Sequence, residues 1–176
     1  MLLFRLARCR SAAIALTLSL CAFAGPSGAQ ALGPVTGLPL PRYVSLKTDR
    51  VNLREGPSKD HATLWVYQRI GLPVEVTAEF ETWLKVRDWE GAEGWVLHSL
   101  VSGRRTSIIG SGKKGRVFSI YAKASEAADL AASLQSGVIS AVKSCDGKWC
   151  LVEGDGYKGY AAQINLWGVY PDEKFE

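Results

Sequence analysis

From residue 42 onward the chain alternates apolar and polar residues in short runs. Tyr43-Val44-Ser45-Leu46, Val51-Asn52-Leu53, Pro73-Val74-Glu75-Val76, Trp83-Leu84-Lys85-Val86 and Gly94-Trp95-Val96 follow one another, with turn-forming residues between them. A period of two places successive side chains on opposite faces and marks a half-buried strand. Runs this short at this spacing predict an all-β barrel or sandwich. The stretch 32–41 (LGPVTGLPLP) is rich in Gly and Pro and reads as an extended leader.

The pattern is written twice. Gly71, Val76 and Trp83 recur as Gly137, Val142 and Trp149 at an offset of 66. After a one-residue gap, Gly94-Trp95-Val96 recurs as Gly159-Tyr160-Ala161 at 65; upstream, Val51-Asn52-Leu53 stands opposite Phe118-Ser119-Ile120 at 67. The chain therefore divides into residues 42–105 and 106–176, two divergent copies of one small β unit. Residues 124–136 (ASEAADLAASLQS) have the alanine content of a helix. Their counterpart in the first copy contains the strand-like Thr63-Leu64-Trp65-Val66-Tyr67, so the repeat predicts a loop followed by a strand. A unit of about 65 residues is close to the lower limit for independent folding.

The first 31 residues form a different kind of segment. Arg5, Arg8 and Arg10 precede an uncharged run at 11–24, and residues 25–31 (GPSGAQA) then break it with Gly and Pro and end in Ala29-Gln30-Ala31 as the cleavage pattern. This predicts a signal peptide at 1–31 and an exported, periplasmic mature chain. The uncharged run is shorter than the ~20 residues needed to span a bilayer. No transmembrane segment is expected in the mature chain. Of 21 basic residues three lie in this segment, so the remainder is nearly balanced against 17 acids. That argues against a nucleic-acid partner, which calls for clustered positive charge.

Cys9 and Cys21 leave with the signal, and Cys145 and Cys150 remain, bracketing Asp146-Gly147. In an oxidising compartment a close pair predicts a disulfide, with free thiols as the alternative. A four-residue loop would set the cysteines face to face, and a two-residue Asp-Gly turn would set them diagonally. A metal site is not expected, since two Cys with the distant His61 and His98 make a poor ligand set. No cofactor is implied.

Val51-Asn52-Leu53-Arg54-Glu55-Gly56-Pro57-Ser58, followed by Trp83-Leu84-Lys85-Val86 and Gly94-Trp95-Val96, resembles the bacterial SH3-like (SH3b) domain. The second copy keeps Trp149-Cys150-Leu151-Val152 and Gly159-Tyr160 but loses the N-L-R-x-G-P spelling. The resemblance implies two tandem SH3-like β-barrels of about five strands each. It also implies a non-enzymatic envelope protein that binds peptidoglycan or an envelope protein partner. A ligand-free scaffold and a cell-wall hydrolase are the alternatives.

Strand alternation turns Leu84 and Val86 inward and so predicts Trp83 at the surface, with Trp149 equivalent to it. Trp89, six residues on, borders the 88–93 turn and is expected to share an aromatic patch with Trp83. Trp83, Trp89 and Trp149 are therefore the candidate ligand-binding residues, and Trp83→Ala is expected to spare the fold. A polyproline groove is not expected, because Arg54 and Glu55 stand where its tyrosines would be. The acids Glu79, Glu81, Asp88, Glu90 and Glu93 fall on predicted turn tips, where carboxylates are hydrated, so no catalytic residue is expected among them.

Overall fold

A computed structural model describes residues 30–176, and the signal-peptide reading falls largely outside them. The leader is not extended, as the sequence led us to expect. β1 (Ala31–Leu32) and β2 (Pro39–Leu40) pair as a small hairpin. What folds it back is Glu79. Its carboxylate accepts the Val35 and Thr36 N–H groups at 3.1 and 2.9 Å and the Thr36 hydroxyl at 2.6 Å. It also pairs with Arg42 at 2.8 Å.

The first copy is one antiparallel sheet curled on itself. It comprises β3 (Arg42–Leu46), β4 (Val51–Arg54), β5 (Thr63–Tyr67), β6 (Pro73–Phe80), β7 (Trp83–Arg87), β8 (Glu93–Leu97) and β9 (Val101–Ser102), in the order β5-β4-β8-β7-β6-β3-β9. The second copy comprises β10 (Thr106–Ile109), β11 (Val117–Tyr121), β12 (Leu130–Gln135), β13 (Ile139–Asp146), β14 (Trp149–Gly154), β15 (Tyr157–Ala162) and β16 (Leu166–Trp167). Its order, β12-β11-β15-β14-β13-β10-β16, repeats the first strand for strand, and β17 (Lys174–Phe175) adds to β13. Residues 124–136 form a loop and then β12, as the repeat required.

Even the irregularities recur. β-bulges lie at Val76/Ala78 and at Val142/Ser144, and again at Leu53/Arg54 and Ile120/Tyr121. Each bulge bends its strand sharply enough to close a small barrel. The glycine of the G-W-V strand has a steric cause. A Cβ on Gly94 would lie 2.7 Å from the Arg54 carbonyl oxygen, and one on Gly159 would lie 2.6 Å from that of Tyr121. Only glycine lets these strands cross so closely.

The inner faces hold separate cores. Leu53, Val74, Val76, Leu84, Val86 and Val96 fill the first; Ile109, Ile120, Cys150 and Val152 fill the second. Cys145 and Cys150 stand directly opposite each other in β13 and β14 and are disulfide-bonded. The Asp146 carboxylate caps this turn by accepting the Lys148 and Trp149 N–H groups, each at 2.8 Å.

The copies also pack on each other. Ile108 of the second copy belongs to the first core, and Trp167 packs against it. Tyr43 contacts Trp167 edge-on at 5.4 Å and Tyr170 at 4.7 Å. Thr106 donates its hydroxyl to the Gly71 carbonyl at 2.7 Å. The Tyr170 hydroxyl donates to Glu75 at 3.0 Å, while Arg87 pairs with the other oxygen of that buried carboxylate.

Candidate functional site

Three strands of the first copy present one outer face. Register places Arg54, Trp95 and Lys85 side by side across β4, β8 and β7, and Trp83 beside Leu97. The loop after β4 then folds over one end of this face, for reasons written in the N-L-R-x-G-P-S motif. Leu53 is buried in the core. Arg54, next along, points outward and donates to the carbonyls of Lys59 and His61 at 3.0 and 2.7 Å. Gly56 leaves room for the His61 ring, which a side chain there would strike. The Ser58 hydroxyl accepts the Asp60 N–H at 3.1 Å.

The expectation of an open, surface-lying Trp83 needs correction. Alternation chose the right side, since Leu84 and Val86 are in the core and Trp83 is not among its members. Yet Trp83 is only 6% exposed. It lies at the bottom of a pocket of about 240 Å³ rather than on an open surface. Leu97 and Leu100 complete an apolar floor, while Asn52, Arg50, Arg54 and Lys59 form the polar wall. No carboxylate lines the pocket, and none of its three cations enters an ion pair among the described residues.

Trp89 does not share this site. Trp83 opens β7, and Trp89 lies past the other end of that strand, half-buried against the first core. The most exposed tryptophan of the first copy is instead Trp65, 59% exposed on the edge strand β5. Its exposure comes from the edge position of β5, which residue alternation does not reveal.

The second copy presents the equivalent face with different chemistry. Trp149 is half-buried and takes the place of Trp83, with Cys150 inward where Leu84 stands. Tyr121 occupies the position of Arg54, paired with Tyr160 as Arg54 is with Trp95. Its ring meets Trp149 edge-on at 5.6 Å. The places of Arg50 and Lys59 are taken by Val117 and Glu126. Elsewhere on this copy an apolar hollow of about 460 Å³ lies beside Ile164, Leu166, Val169 and Pro171. The neighbouring Gln163 amide donates to the Tyr170 and Glu173 carbonyls at 2.7 and 3.1 Å, so its donors are spent within the fold.

Two of the acids expected on hydrated turn tips are buried structural groups. Asp88 accepts from the Tyr67 hydroxyl at 3.0 Å and from the Glu90 and Ala92 N–H groups, each at 2.9 Å, and so shapes the 88–92 turn. Burial, followed by this carboxylate, pushes the Tyr67 phenol well above its ordinary range. Burial also works to raise the Glu79 pKa. The hydrogen bonds from Thr36 and Val35 and the Arg42 guanidinium outweigh it, and the carboxyl is held at about 2. Among the described residues no cluster of three or more His, Cys, Asp or Glu is placed to hold a metal. No helix among them is long and apolar enough to cross a membrane.

Known proteins resemble this arrangement at the level of the domain. The family model for the bacterial SH3 domain matches residues 47–103 and again 114–168. No curated protein matches the chain. Among solved structures, NlpC2 from Trichomonas vaginalis is similar at 15% identity and a TM-score of 0.33, covering 72% of this chain and 48% of that one. NlpC1 from the same organism is similar at 14% identity and 0.33, covering 77% and 48%. The chain thus spans about half the length of each of these two proteins. The two family matches fall one on each copy of the repeat, and the chain belongs to the bacterial SH3 domain family.

Proposed function

We propose that this protein is a non-enzymatic, exported module of the cell envelope whose first copy binds peptidoglycan or an envelope protein. The observation that carries this reading is the pocket above Trp83. It combines an apolar floor with positive charge that enters no ion pair among the described residues. The disulfide in the second copy supports an oxidising compartment. The charged terminal segment with its uncharged run supports export.

Co-sedimentation of the purified full chain with intact sacculi tests the binding. Chromatography of the supernatant for released muropeptides tests the absence of hydrolysis. Retention on sacculi without release is expected. Failure to sediment with sacculi and to retain any envelope protein would favour a ligand-free scaffold, a reading for which the inter-copy packing of Tyr43, Trp167 and Tyr170 speaks.

A further inference from the structure

We infer that the Trp83 pocket recognises the terminal carboxylate of a peptide. Arg50, Arg54 and Lys59 supply the charge, and the floor seats the last side chain. The inference deepens the binding function proposed above and rests on it.

Three features select this ligand class. The first is charge: three cations converge on one small pocket with no acid among its lining residues, so an anion entering it neutralises charge that the fold leaves unpaired. The second is preorganisation. Arg54 is already tied to the carbonyls of Lys59 and His61, which fixes both its guanidinium and the loop carrying Lys59. A held guanidinium loses little freedom when it binds a planar carboxylate. The third is the floor. A phosphate is surrounded by oxygens and gains nothing from Trp83, Leu97 and Leu100. A peptide end carries an apolar side chain beside its charge and can bury it there. The pocket, about 240 Å³, lies below the range of about 300–1,000 Å³ typical of drug-sized ligand sites. It suits a single terminal residue better than an extended glycan.

The test is an NMR titration of the full chain, following the Trp83 indole N–H. The probes are N-acetyl-Ala-Ala with a free carboxylate, the same dipeptide as its C-terminal amide, and inorganic phosphate. The acid should shift the Trp83 resonance and bind at least tenfold more tightly than the amide or phosphate. It should also weaken as salt rises. Arg50→Glu combined with Lys59→Glu changes two exposed side chains outside both cores, and should lower affinity for the acid at least tenfold with an unchanged thermal midpoint.

Equal affinity for acid and amide, phosphate binding as tight as the acid, or undiminished binding by the double variant would each overturn the inference. Sacculus binding alongside any of these results would leave the envelope-binding function standing. Selective acid binding by a chain that ignores sacculi and envelope proteins would do the reverse.

Discussion

The two copies agree over seven strands each, and two of their disagreements are instructive. Inside, the first core buries thirteen residues, among them Ile108 from the second copy. The second core buries nine, two of them the bonded cysteines. Outside, Arg50, Arg54 and Lys59 beside Trp83 are answered by Val117, Tyr121 and Glu126 beside Trp149. The fold constrains the bulges and the crossing glycines, so these recur. It does not constrain the outer face of β4 and its loop, and that is where the copies have taken on different chemistry. The cross-link of the smaller core stands where the first copy pairs Glu79 with Leu84.

The largest expected effect tests the likeness itself. Gly94→Val and Gly159→Val each drive a side chain into the backbone of the neighbouring strand. Each should destabilise the protein by on the order of 3 kcal/mol, the upper range for overpacking, in urea denaturation followed by circular dichroism. Tolerance of one and not the other would break the equivalence of the barrels.

Next in size is a feature only the first copy has. Glu79 clamps the leader, and its counterpart at an offset of 66 is Cys145, which cannot titrate. With the Glu79 pKa lowered from 4.5 to about 2, the clamp contributes fully above about pH 4.5 and is lost as pH falls toward 2. The linkage corresponds to on the order of 3 kcal/mol. Limited proteolysis within residues 33–38 should rise over that window, and Glu79→Gln should raise it at neutral pH. An unchanged cleavage rate in that variant would remove the clamp.

Reduction of Cys145–Cys150 should cost on the order of 1–2 kcal/mol, because the loop it closes is short. Hydrogen exchange should quicken in β13 and β14 while β6 and β7 stay protected. Uniform loosening of both copies would show that the inter-copy packing, not the disulfide, sets the stability of the second barrel.

The architecture was legible in the chain because repeats and alternation are local signals. Trp83 at offset 66 from Trp149 defined the second barrel even where 124–136 looked helical. Its burial was not legible, because it depends on side chains that other strands and loops bring around the ring, Asn52, Arg54, Lys59, Leu97 and Leu100 among them. Trp83→Ala should therefore perturb the fold as well as the pocket, where a ring lying open at the surface would spare it. The leader misled for a related reason. Nothing within 32–41 reveals a partner, which lies about forty residues away at Glu79. Trp89 is close to Trp83 in sequence, but the length of β7 separates them.

The smallest effect on stability is the one that bears most directly on the outer face. Val117→Arg with Glu126→Lys gives the second copy two of the three cations of the first, at exposed positions, and should shift the thermal midpoint little. If positive charge alone made the site, the second copy would now bind the dipeptide acid. It should not, because the Tyr121 ring still packs edge-on against Trp149 where Arg54 would leave a guanidinium and an open floor. Adding Tyr121→Arg removes that ring and restores the third cation. The triple variant should then shift the Trp149 indole resonance on titration with the acid, more weakly than Trp83 responds, since Ala162 stands where Leu97 completes the first floor. A response already present in the double variant would mean that the apolar floor is dispensable and that the two faces differ in charge alone.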